Sequence, residues 1–130
     1  MRHYAVPELA GFEEQWHFSH AVEASGLLFL SGVTGTAADG TVSDDPTDQF
    51  EQAFEHLRLY LAAAGATFAD VVEITSYHVG LREHLDAFVA VKDRHIVKPY
   101  PAWSALGVSE LITPGALVEL RVVACATSAT

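Results

Sequence analysis

One cysteine, one methionine and only seven lysines and arginines occur in 130 residues. A single cysteine, Cys125, forms no internal disulfide and builds no cysteine-based zinc site alone. With no helix N-terminus or cationic cluster assignable beside it, it is weak as a nucleophile and reads as a small core residue. Seven cations against 17 acids leave a formal net charge of −10. Such a field repels phosphate backbones and anionic membrane surfaces, so nucleic acid and membrane are not expected partners. The longest apolar stretch, near the C-terminus, is interrupted by Glu119 and Arg121, and the N-terminal residues lack the apolar core of a secretory signal. A cytoplasmic protein is expected. Phosphate-loop, Gly-x-Ser-x-Gly and dinucleotide fingerprints are missing, so no cofactor is indicated.

Charged residues are 18% of the chain, against roughly 25% in an average soluble domain. A small domain has a large surface for its volume, so this shortage predicts that part of the surface is covered by partner subunits. No linker-like composition divides residues 1–130, which read as one domain.

Local patterns give the elements. Ser25-Gly26 separates two strand-like stretches, His17–Ala24 and Leu27–Gly32, as a hairpin turn would. Asp45-Pro46-Thr47-Asp48 supplies an N-cap, a proline at the first helical position and an acid in the first turn. Phe50, Phe54, Leu57 and Leu61 recur at helical spacing up to Gly65, predicting a helix over Pro46–Ala64. A strand over Val71–Val79, a helix over Arg82–Val97 stopped by Pro99 and Pro101, and a strand over Ala102–Val108 follow. The last strand, Leu117–Ala126, sets Val118, Leu120, Val122 and Ala124 on one face and Glu119, Arg121, Val123 and Cys125 on the other. The first face suits a helix-covered core, and the second a sheet face that meets another subunit. The order ββαβαββ, with two helices on one face of a mixed sheet, is α+β.

Three stretches carry a family resemblance across nearly the whole chain. They are Ser19-His20-Ala21-Val22 with Leu30-Ser31-Gly32, then Ala63-Ala64-Gly65-Ala66 with Asp70-Val71-Val72, and finally Pro101-Ala102-Trp103-Ser104 with Pro114 and Leu117-Val118-Glu119-Leu120. In this order they resemble the signature regions of the Rid (YjgF-type) family. The resemblance implies a chorismate-mutase-like fold, a homotrimer with clefts between subunits, and a small-molecule substrate. It further implies hydrolysis of an enamine or imine with release of ammonia, in which a glutamate on the last strand helps to activate water. Glu119 stands at that position and Ser31 also matches.

Other positions depart from the family. Trp103 stands where an arginine that holds a carboxylate is expected, Phe18 replaces a tyrosine, and His20 replaces a glutamine. An indole has one neutral donor and an apolar face, so it cannot form the two charge-assisted bonds of a guanidinium. A pocket of Phe18 and Trp103 therefore favours a flatter, more apolar or aromatic ligand. Ser31, Gly32, Ser104, His20 and Arg121 are candidate polar contacts for it.

Each candidate has a plainer alternative. Glu119 is either a general acid or base or a salt-bridge partner of Arg121, roughly 6.6–6.8 Å along the same strand face. Arg121 itself either replaces the missing cationic anchor or simply neutralises Glu119. Trp103 contacts ligand or fills the trimer interface. His17 and His20, three apart on a strand, point to opposite faces and make a poor metal pair, and His78 reads as a packed residue. At the level of the whole protein, the alternative to an enzyme is a non-catalytic small-molecule-binding trimer.

Overall fold

A computed structural model describes residues 1–127. Strands β1 (Arg2–Tyr4), β2 (Ala21–Ala24), β3 (Leu27–Leu30), β4 (Val71–His78), β5 (Ala102–Gly107) and β6 (Val118–Cys125) alternate with helices α1 (Ala10–Trp16), α2 (Pro46–Ala63) and α3 (Leu81–His95). The six strands form one mixed sheet in the order β1-β2-β3-β6-β4-β5. Only β4 and β5 run parallel, and α3 makes the crossover that such a pair requires. The chain is thus α+β, as expected. Among the described residues, no helix is long and apolar enough to cross a membrane.

Local chemistry explains the well-predicted elements. Ser25 and Gly26 both have positive φ, 53° and 78°, the geometry of a type I′ hairpin turn. The Asp45 carboxylate accepts the Thr47 N–H at 3.0 Å, and Pro46 opens α2. Gly65, at φ 76°, takes the left-handed position after α2, where its N–H and that of Ala66 reach the Ala62 and Leu61 carbonyls.

The core lies between the sheet and α2 with α3. Val118, Leu120, Val122 and Ala124 of β6 are at most 1% exposed, and Phe50, Phe54, Leu57 and Leu61 of α2 are fully buried. Phe88 of α3 wedges between Phe50 and Phe54, with ring centroids 5.4 and 5.9 Å away. Truncating such a buried ring typically costs about 3–5 kcal/mol. The opposite face of the sheet is less covered, with Phe29 40% and Leu106 46% exposed.

Three expectations are corrected. The strand expected from His17 starts only at Ala21, because His17 closes α1 in a left-handed conformation, φ 57°, with its N–H on the Glu13 carbonyl. Two helices were expected where three occur, and β1 is an added edge strand. The helix α1 is seven residues long and buries none of them, and β1 has only three residues, so neither has a long apolar period to betray it. Cys125 is exposed instead of buried, since its place on β6 turns it away from the helices. His78 is packed as expected, edge-on to Phe88 at 4.6 Å.

One buried polar side chain ties α2 to the segment before β6. The Gln49 amide donates to the Ser43 and Gly115 carbonyls at 2.8 and 3.0 Å, and its oxygen accepts the Leu117 N–H at 3.0 Å. Gln49→Leu keeps the bulk and orphans three backbone groups, so unfolding in urea should show a loss of about 3–5 kcal/mol. An unchanged midpoint would mean that water replaces all three bonds.

Candidate functional site

A cavity of about 510 Å³ opens where the ends of several elements converge. Phe12, Gln15 and Trp16 come from α1, Phe18 from the approach to β2, and Ser31, Gly32, Thr34 and Thr36 from the segment after β3. His56 and Tyr60 come from α2, Ile112, Thr113 and Pro114 from the β5–β6 connection, and Glu119 from β6.

The central contact is between Gly32 and Glu119. Val33 exchanges two backbone hydrogen bonds with Leu120, at 2.9 and 2.8 Å, and so sets Gly32 beside Glu119. A Cβ at Gly32 would stand 2.6 Å from both Cδ and Oε2 of Glu119, so only glycine leaves the carboxylate its place. Ser31 is held next to it. Its hydroxyl donates to the Ser19 carbonyl at 2.7 Å, leaving the oxygen free to accept.

Glu119 has neither an ion pair nor a hydrogen bond among the described residues. Burial without a partner raises its pKa above the ordinary carboxylate value, which makes the carboxylate a stronger base. Tyr60 is also raised, chiefly by burial and then by the Glu119 charge, so its phenol stays neutral. The His56 ring is fully engaged: Nδ1 lies 3.0 Å from the Thr34 carbonyl and Nε2 2.8 Å from the Gln52 amide nitrogen. The pairing matches a ring that donates from Nδ1 and accepts at Nε2. Thr34, Thr36 and Thr113 link their hydroxyls at 2.6 and 3.1 Å. No lysine or arginine lines the cavity.

Four of the sequence candidates, Phe18, Ser31, Gly32 and Glu119, meet here. The others do not line this cavity. His20 is fully buried, accepts the Val6 N–H at Nδ1 (2.7 Å), and packs against the rings of Tyr60 and Phe18 at 4.8 and 5.4 Å. Burial lowers its pKa and keeps it neutral, and its Nε2 has no partner. Trp103 does not join Phe18 within the chain. Its indole N–H donates to Ser76 Oγ at 2.9 Å, and Lys92 Nζ sits 4.3 Å from its ring centroid. Ser104 is exposed and paired in register with Thr75, which also faces Arg121 across β6. Arg121 is exposed and forms no ion pair with Glu119 among the described residues, which removes the salt-bridge alternative within the chain. His17 ends α1 and does not line the cavity.

Sequence reasoning missed the threonine hydroxyls, Tyr60, His56, Phe12 and Trp16. The His56–Tyr60 pair on α2 and the Phe12–Trp16 pair on α1, each four apart, are the local signals, since such spacing puts both members on one helix face.

Comparison with known proteins adds independent evidence. The family described as Endoribonuclease L-PSP matches residues 11–126. The RutC family protein YjgH of Escherichia coli K12 is 38% identical over 108 residues, 82% of this chain and 81% of that protein. A 2-iminobutanoate/2-iminopropanoate deaminase of Dermatophagoides farinae is 31% identical over 99 residues, 72% of this chain and 74% of the relative. Among solved structures, a YjgH protein superposes with a TM-score of 0.88 at 32% identity, covering 99% of this chain and 98% of the other.

The unpaired carboxylate should be a measurable burden on the fold. Folding raises the Glu119 pKa, so its contribution is least unfavourable below the unfolded value and worsens as pH rises through the folded one. Glu119→Gln should therefore melt above the parent at neutral pH, with the gap closing in acid. Equal melting curves at every pH would show that the carboxylate is solvated as well in the fold as out of it.

Proposed function

The chain belongs to the Endoribonuclease L-PSP family, the Rid or YjgF family of the sequence resemblance, and from that premise we propose that it hydrolyses a small reactive imine or enamine by acid–base chemistry at Glu119. The observation that carries the reading is the lone carboxylate of Glu119, half-buried and unpaired against Gly32 in a cavity large enough for a small metabolite. As a base it takes a proton from water while the water oxygen adds to the imine carbon. As an acid it returns that proton to nitrogen, giving a carbinolamine; it then carries the hydroxyl proton to the same nitrogen as the C–N bond breaks, leaving a carbonyl compound and ammonia. The Ser31 oxygen, the threonine hydroxyls and the Tyr60 phenol offer polar contacts to the substrate, and Phe12, Trp16 and Phe18 supply aromatic walls.

The reading departs from the family's usual amino-acid-derived imines. No cation in the cavity matches a substrate carboxylate, and Trp103 spends its single donor on Ser76. An aromatic or apolar substrate suits these walls better. A ribonuclease reading finds little support, because a lining without lysine or arginine in a chain of charge −10 supplies no phosphate site. The missing cation also favours a second reading, a non-catalytic binding protein in which Glu119 only shapes the cavity.

Ammonia release separates the two. With an aromatic imine generated in situ, the native chain should accelerate release, and Glu119→Gln should lower that acceleration by about 10²–10⁴-fold, the usual yield of a general acid or base. Freshly generated 2-iminobutanoate should be a poorer substrate. No acceleration of either imine would leave the binding protein.

The proposal includes assembly as a homotrimer through the less covered face of the sheet, where Phe29 and Leu106 are exposed. Light scattering should then give a mass near three times the 14.0 kDa chain. A mass near one chain would remove the inter-subunit cleft, while the cavity described above, lined by one chain, would remain.

A further inference from the structure

The cavity that holds Glu119 is also shaped for positive charge. The rings of Phe12, Trp16, Phe18 and Tyr60 line it, and Glu119 is the only carboxylate in its lining, with no lysine or arginine beside it. Aromatic faces are electron-rich and attract cations, most strongly where water is excluded. Beside them stands a carboxylate with no partner of its own among the described residues, so part of its charge is left for a ligand to neutralise. The cations that would otherwise cancel it are engaged or turned away. Lys92 is buried over the face of Trp103, and Arg121 is exposed on β6 outside the cavity. The net charge of −10 further concentrates cations around the molecule.

We propose that the substrate is a carboxylate-free iminium ion, the protonated imine of an amine, with its cationic nitrogen held between Glu119 and the aromatic walls of Phe18 and Trp16. This rests on the hydrolytic reading above and names its substrate class. A 2-imino acid brings a carboxylate that Glu119 repels and nothing in the lining pairs. An iminium brings the complementary charge on the atom that must leave. The step balances without an oxidant. Water adds through oxygen to the iminium carbon as Glu119 takes one of its protons; the nitrogen then receives that proton, the C–N bond breaks as Glu119 takes the hydroxyl proton, and the departing ammonia takes that proton from Glu119. Iminium plus water becomes aldehyde or ketone plus ammonium. The reaction that supplies such a substrate is a two-electron oxidation of an amine to its imine.

Benzamidine tests this apart from turnover, because its planar amidinium mimics an aromatic iminium and persists in water. Calorimetry with the native chain should show benzamidine binding about tenfold or more tighter than neutral benzamide, with benzoate weakest. Glu119→Gln should bring benzamidine down to the level of benzamide. Phe18→Leu, which keeps the carboxylate, should weaken benzamidine several-fold and serves alone if the first variant does not fold. Benzoate binding as tightly as benzamidine overturns the proposal. So does benzamidine that fails to bind, or that ignores both substitutions. Imine hydrolysis with benzoate preferred would sink the substrate class and leave the hydrolysis. Tight benzamidine binding without imine hydrolysis would sink the catalytic reading and leave the cation site.

Discussion

Two hydrogen bonds between Val33 and Leu120 hold the candidate site together. They join a residue just past the N-terminal hairpin to the last strand, across a chain segment that contains α2, β4, α3 and β5. Without that bridge, Gly32 would have no reason to lie on Glu119, and the segment carrying Ser31, Thr34 and Thr36 would not form a wall. The bridge in turn depends on β6 lying between β3 and β4, which requires Leu120 and Val122 to be buried under α2. Hydrophobic burial sets the position of β6, β6 sets the register of Val33, and the register sets the carboxylate.

The same arrangement explains why Glu119 is left without a partner. Along β6 the side chains alternate, so Glu119 and Arg121 share a face, yet only Glu119 meets the cavity. A carboxylate removed from water without compensation weakens the fold, and the cost is carried by a core in which Phe50, Phe54, Phe88 and Leu57 are fully buried. Desolvation of this kind at one residue raises a carboxyl pKa, the direction in which the carboxylate becomes a stronger base.

Legibility in the sequence followed the range of the interaction. Asp45-Pro46 and Gly65 mark the two ends of α2 because capping is decided within a few residues, and the alternation along Val118–Cys125 sorts the faces of β6 for the same reason. The helix α1 was missed because it is short and buries no residue, its Phe12 and Trp16, four apart, facing a cavity instead of a core. Cys125 was misread against the alternation along β6, which already set it on the face away from the helices; its small, apolar side chain alone suggested the core.

The family resemblance brought Glu119, Ser31, Gly32 and Phe18 to notice, and the fold gathers these four. It did not say what Trp103 does. Its donor goes to Ser76, 27 residues away in sequence, and its ring to Lys92, contacts that exist only once β5 lies beside β4 and α3 packs over both. The sequence by itself determined where most helices and strands lie, the acidity of the chain and the position of one carboxyl on its last strand, because these rest on composition and on neighbours a few residues apart. Only the tertiary structure decided that, among the described residues, this carboxyl would have no ion pair and would share a cavity with four aromatic rings, because the residues that meet there come from six separate segments and are joined by burial and strand register.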